Sequence, residues 1–164
     1  TDAKFQIQPQ MVDKWEMSKD GLTYTFTLRD GLKFHDGAPV KSADCIASIE
    51  RWAKRDVFGQ RLAEMTESWT VVNDKTFRLK LKKPFPYVLE ALGKPSSNVP
   101  FIMPARIAAT PPTEQVKESV GSGPFVFQAA AALSGVPYFF TTHLSQRCRI
   151  TPLYQVTSGS FRRS

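Results

Sequence analysis

The sequence predicts an α+β fold, a mainly antiparallel sheet carrying a few helices, on three observations. A polar–apolar alternation fills Thr23 to Leu28, a second fills Lys75 to Leu81, and an apolar repeat at helical spacing lies between them. Strands and helices segregated in this way argue for antiparallel pairing rather than for alternating β-α-β units. Twelve prolines and twelve phenylalanines in 164 residues favour many turns over a helical bundle. With 41% hydrophobic residues the chain can fill one core.

In the first strand Tyr24, Phe26 and Leu28 point to one face while Thr23, Thr25 and Thr27 point to the other. It pairs with Trp15 to Met17 as a hairpin across Asp20-Gly21. Two further Asp-Gly steps follow, Asp30-Gly31 and Asp36-Gly37, each a source of the positive φ that tight turns need. Lys33-Phe34 begins a short extension that Asp36-Gly37 and Pro39 end. Ser42 is the expected N-cap of a helix, with Asp44 in the first turn where it favours the helix dipole. Cys45, Ile46, Ile49, Trp52 and Ala53 then recur on one face. A buried free thiol is the expectation for Cys45; a disulfide to Cys148 is the alternative.

A second hairpin joins Met65–Val72 to Lys75–Leu81 around Asn73-Asp74, with Phe77, Leu79 and Leu81 inward and Arg78, Lys80 and Lys82 in water. Pro84 and Pro86 close the strand, and Tyr87 to Leu92 makes a short helix. From Pro95 to Pro112 an ordered loop is expected, with a turn of helix at Pro104 to Ala108.

Charge divides the chain. Its net +7 comes from +3 over residues 1–127 and +4 over residues 128–164, where four arginines stand with no acid. No basic stripe interleaved with base-reading side chains accompanies the charge, so nucleic acid is not an expected partner. No run of about 18 apolar residues occurs, so no membrane span is expected. Thr1 to Gln10 lacks a basic region followed by an apolar one, so no signal peptide is expected there.

Catalytic and metal chemistry find little support. His35-Asp36 is the only histidine beside a carboxylate and lies in a turn, where Asp36 is expected to bond nearby backbone N–H groups. Two histidines and two cysteines, widely scattered, give no zinc spacing. Gly121-Ser122-Gly123 lacks the lysine or third glycine of a phosphate loop and precedes Pro124, which makes it a chain-reversal turn. No enzyme activity, cofactor or metal is expected.

The wording of residues 15–37, WEMSKDGLTYTFTLRDGLKFHDG, resembles the signature region of the family 5 extracellular solute-binding proteins, the dipeptide, oligopeptide and nickel receptors of ABC importers. The resemblance extends through Ser42–Arg55 and through VVNDKTFRLKLKKPFPY (residues 71–87) to Gly121-Ser122-Gly123-Pro124-Phe125, where the family's chain leaves this lobe. It implies that residues 1–127 are one subdomain of a type II-like periplasmic binding protein, a piece of a receptor several times longer. Residues 128–164 (QAAAALSGVPYFF…) do not resemble the family. Such a shift is expected of a frameshifted reading, a fusion junction or a vector-derived extension, with a divergent terminus as the alternative.

The resemblance implies a bacterial, exported, periplasmic protein. Its partners would be a small peptide or similar solute and an inner-membrane ABC permease. In the family ligand sits in a cleft between lobes, and two stretches here correspond to segments that can reach it, Arg55–Arg61 and Lys94–Asn98. From these Phe58, Arg61, Ser97 and Asn98 are the candidate ligand contacts. Phe58 would pack on a ligand side chain and Arg61 would meet a carboxylate. The alternatives are a core Phe58 and a surface Arg61. A single lobe is not expected to hold ligand fully by itself, and a self-associating interaction module or homo-oligomer is the competing expectation.

Overall fold

The Asp-Gly turns form where predicted: Gly21, Gly31 and Gly37 sit at φ of 68°, 74° and 87°, the left-handed region that a side chain disfavours. The computed structural model describes residues 2, 4, 6–95, 98–123 and 126. In chain order its elements are β1 (Val12–Met17), β2 (Thr23–Leu28), α1 (Ser42–Ala53), α2 (Val57–Met65), β3 (Thr66–Asn73), β4 (Thr76–Leu81), α3 (Val88–Leu92) and α4 (Ala105–Ala108). The strands make one sheet in the order β1-β2-β4-β3, and every neighbouring pair is antiparallel. The α+β expectation therefore holds.

Register aligns the apolar residues. Trp15 lies opposite Phe26, Phe26 opposite Phe77, and Phe77 opposite Val71, one row across all four strands. The Phe26 and Phe77 rings stack with centroids 5.2 Å apart. Tyr24, Phe26, Leu28, Phe77, Leu79 and Leu81 are all buried, while Arg78 and Lys80 on the opposite face are exposed. Against the apolar face pack Cys45, Ile49 and Trp52 of α1, Leu62 of α2, and Val88 and Ala91 of α3. β1 begins at Val12 rather than Trp15, because a register shift between Val12 and Lys14 interrupts the alternation that would reveal it.

Ser42 is not the N-cap of α1. That position belongs to Lys41, whose backbone is extended at φ −117° and ψ 161°. The Asp44 carboxylate accepts the Lys41 N–H at 2.8 Å, the half of a capping box that reaches backward. The Ser42 N–H is drawn instead to the Asp74 carbonyl at 2.8 Å, tying the helix start to the β3–β4 turn. The Ser42 side chain is buried, and its hydroxyl has no partner among the described residues. The other Asp44 oxygen accepts the Ala105 N–H at 2.8 Å, so one carboxylate begins α1 and anchors α4. Cys45 is a buried free thiol. Burial, with Asp44 beside it, pushes its pKa up to about 12, so it carries no reactive thiolate. Cys148 lies outside the described residues.

Candidate functional site

The Arg55–Arg61 stretch folds as a tight turn out of α1 followed by the first turns of α2. Asp56 makes that turn. Its Oδ1 accepts the backbone N–H of Phe58 at 3.0 Å and of Gly59 at 2.9 Å, capping α2. Gly59 permits the close approach of α2 to α1: a Cβ there would stand 2.7 Å from the Ala53 Cα and 3.0 Å from the Trp52 ring. The sharp turn and the tight crossing hold the N-terminal end of α2 beside the C-terminal end of α1.

Lys94 and Asn98 come to the same place from the far side of α3. The Lys94 ammonium bonds the second oxygen of Asp56 at 2.7 Å, with side-chain exposures of 16% and 6% for the two partners. It also lies 5.9 Å from the centroid of the Trp52 ring, within cation–π range. At the other end of the loop the Trp52 indole N–H donates to the Asn98 carbonyl at 2.6 Å. The loop is thus clipped at both ends to the α1–α2 junction. Burial raises the Asp56 pKa, but Lys94 and the Gly59 and Phe58 amides outweigh it and hold the carboxyl below its usual range.

Between the loop and α2 lies a pocket of about 610 Å³, with Arg55, Phe58, Arg61, Lys94 and Asn98 among its walls. Three of the four candidate ligand contacts, Phe58, Arg61 and Asn98, therefore line one pocket. Ser97 lies outside the described residues. Phe58 is half-buried against the core and also meets the rings of Phe85 at 6.3 Å and Tyr87 at 6.4 Å. Arg61 is exposed and pairs with Glu64 at 2.7 Å, while Arg55 donates to the Pro112 carbonyl at 2.8 Å. The pocket offers an aromatic wall beside an exchangeable guanidinium, a combination suited to a small solute with an apolar group and a carboxylate.

Asp56 and Lys94, which line the pocket, were not among the predicted contacts. Asp56 does carry a local signal, an acidic residue directly before a helical run. Among the described residues no group of three or more His, Cys, Asp or Glu side chains is placed to hold a metal ion. No helix among them is long and apolar enough to cross a membrane.

Residues 6–136 match the family model described as bacterial extracellular solute-binding proteins, family 5 Middle. A probable peptide ABC transporter periplasmic-binding protein of Sinorhizobium fredii is 44% identical over 142 residues, 85% of this chain and 26% of that protein. A glutathione-binding protein of Pectobacterium atrosepticum is 34% identical over 134 residues, 78% of this chain and 25% of its own. Among solved structures, the periplasmic binding protein AgaA of Agrobacterium tumefaciens in complex with agropinic acid superposes with a TM-score of 0.61. It is 33% identical and covers 75% of this chain and 25% of that one. The chain thus spans about a quarter of the length of the relatives it matches.

Proposed function

The chain belongs to the family 5 bacterial extracellular solute-binding proteins, and from that membership we propose that it forms part of a periplasmic receptor delivering peptides or similar small solutes to an ABC permease of the inner membrane. In this reading the pocket beside Phe58 is this segment's share of the ligand cleft. One observation carries it. Two stretches remote in sequence, both expected at the cleft by family resemblance, meet at one pocket and are locked together by Asp56–Lys94 and Trp52–Asn98.

The chemistry fits acidic solutes. Peptides, glutathione and agropinic acid, named for the relatives, all carry carboxylates. The Arg61–Glu64 pair is exposed, and such pairs contribute only about 0–1 kcal/mol, so a ligand carboxylate can replace Glu64 at little cost. Phe58 then supplies apolar contact to an adjacent ligand group. Transport follows from lobe closure around the solute, the closed form being what the permease engages.

Titration calorimetry of the purified chain against a panel of tri- and tetrapeptides and glutathione tests the reading. Because the chain spans about a quarter of its relatives' length, only weak saturable binding is expected, lowered about tenfold further by Phe58→Ala and by Arg61→Ala, the worth of one good contact. Binding that both substitutions leave unchanged would place the ligand elsewhere. A second reading, self-association, is favoured by Val71 and Val72 exposed on the edge strand β3.

A further inference from the structure

Residues 109–123 contain no helix or strand, and side chains from distant parts of the sequence hold their end to the body. His35, in the turn before Asp36-Gly37, makes the closest attachment. Its backbone N–H donates to the Gly121 carbonyl at 2.9 Å, and the Gly121 N–H donates to the ring Nδ1 at 3.2 Å. The other ring nitrogen, Nε2, lies 2.9 Å from the Gly123 carbonyl. A carbonyl only accepts, so Nε2 carries the hydrogen; a backbone N–H only donates, so Nδ1 is bare. Both positions are satisfied by one species, the neutral imidazole protonated at Nε2. Arg106 of α4 completes the attachment by bonding Asp36 on one side and Glu118 on the other.

We propose that His35 is a proton-operated clasp that holds the backbone at Gly121–Gly123. The ring in its neutral form grips both glycines. A second proton, on Nδ1, sets an N–H donor against the Gly121 N–H donor, and that bond is lost while the bond to Gly123 survives. Gly121 is then held only through its carbonyl, by the His35 backbone N–H. Among the described residues, Asp36, Arg106 and Glu118 are the charged groups bonded together beside the clasp. The Ala38 N–H, and then Arg106, hold the Asp36 carboxyl below its usual range, and Glu118 and Asp36 raise Arg106 further. Neither changes charge across the interval of about pH 5–8 in which histidine ordinarily titrates. The proposal does not depend on whether the pocket at Phe58 binds solute.

The test is nitrogen-detected imidazole NMR with amide hydrogen exchange on the 164-residue chain carrying His143→Gln, which leaves one histidine signal. At neutral pH the ring is expected as the Nε2–H tautomer. Protection of the Gly121 amide, corrected for intrinsic exchange, is expected to fall about five- to tenfold when the ring is protonated and in His35→Phe, the worth of one hydrogen bond. His35→Asn, which offers an amide oxygen near the Nδ1 position, is expected to keep much of that protection and to lose its pH dependence. An Nδ1–H tautomer at neutral pH overturns the proposal, as does Gly121 exchange indifferent to ring protonation. Those two measurements need only the histidine form, so they decide the matter even if His35→Phe fails to fold.

Discussion

Asp56 joins three parts of the molecule with one carboxylate: it caps α2 through the Phe58 and Gly59 amides and pairs with Lys94 from the loop beyond α3. Removing it leaves α2 uncapped and the partly buried Lys94 ammonium without its counter-charge. Breaking a buried pair from one side costs about 3–5 kcal/mol and losing a cap about 1 kcal/mol, and the two overlap here. Asp56→Ala is therefore expected to lower stability by about 3 kcal/mol in urea unfolding at pH 7. The pH dependence has a definite sign. The carboxyl titrates lower in the folded chain than the roughly 3.9 of an unfolded aspartate. Its stabilisation is then complete above that value and is lost as pH falls through the folded pKa. The gap between parent and variant should close in acid. A loss below about 1 kcal/mol at pH 7, or a gap unchanged down to pH 3, would mean that Lys94 is held by its stem on Trp52 rather than by charge.

Between elements, the α1–α2 crossing is the tightest contact on the candidate site. Alanine in place of glycine stabilises an exposed helix by about 1 kcal/mol, yet at Gly59 the added methyl would meet backbone at 2.7 Å. Overpacking of this kind costs about 1–3 kcal/mol, so Gly59→Ala should lower the melting temperature, whereas a rise would show that α2 slides freely on α1. The same contrast between local and tertiary control explains what the sequence revealed. β2 and β4 were legible because each buries one face and exposes the other, giving an unbroken alternation. β1 was only half legible, since the irregularity at Val12–Lys14 breaks its period. Ser42 had the right chemistry for a cap but the wrong place, because the backbone is already helical there and extended only at Lys41. At the candidate site Phe58, Arg61 and Asn98 followed from family resemblance. The resemblance sent the stretches holding Asp56 and Lys94 to one cleft but did not pair them: 38 residues separate the partners, and tertiary packing brings them together.

At the scale of the whole molecule, helices cover one sheet face, and among the described residues β3 pairs with a strand on one side only. β3 lies at the end of the sheet, and Val71 and Val72 on it stand 48% and 47% exposed. An edge strand with apolar side chains and a free row of backbone groups is a template for pairing with another chain. In a receptor about four times this length, other parts of the polypeptide can cover such an edge; in the chain by itself a second copy can. The 164-residue chain is therefore expected to self-associate with rising concentration, as read by light scattering coupled to size exclusion. Val72→Lys, which places a charge on that edge, should shift the chain toward monomer with little change in melting temperature. The same measurement on a chain ending at Phe127 separates association through β3 from association that needs residues 128–164. If both lengths run as monomers across the concentration range, the edge is self-limiting and the self-association reading fails. If Val72→Lys leaves a dimer intact, another surface holds the copies, and the exposed Phe101 and Tyr87 become the next positions to change.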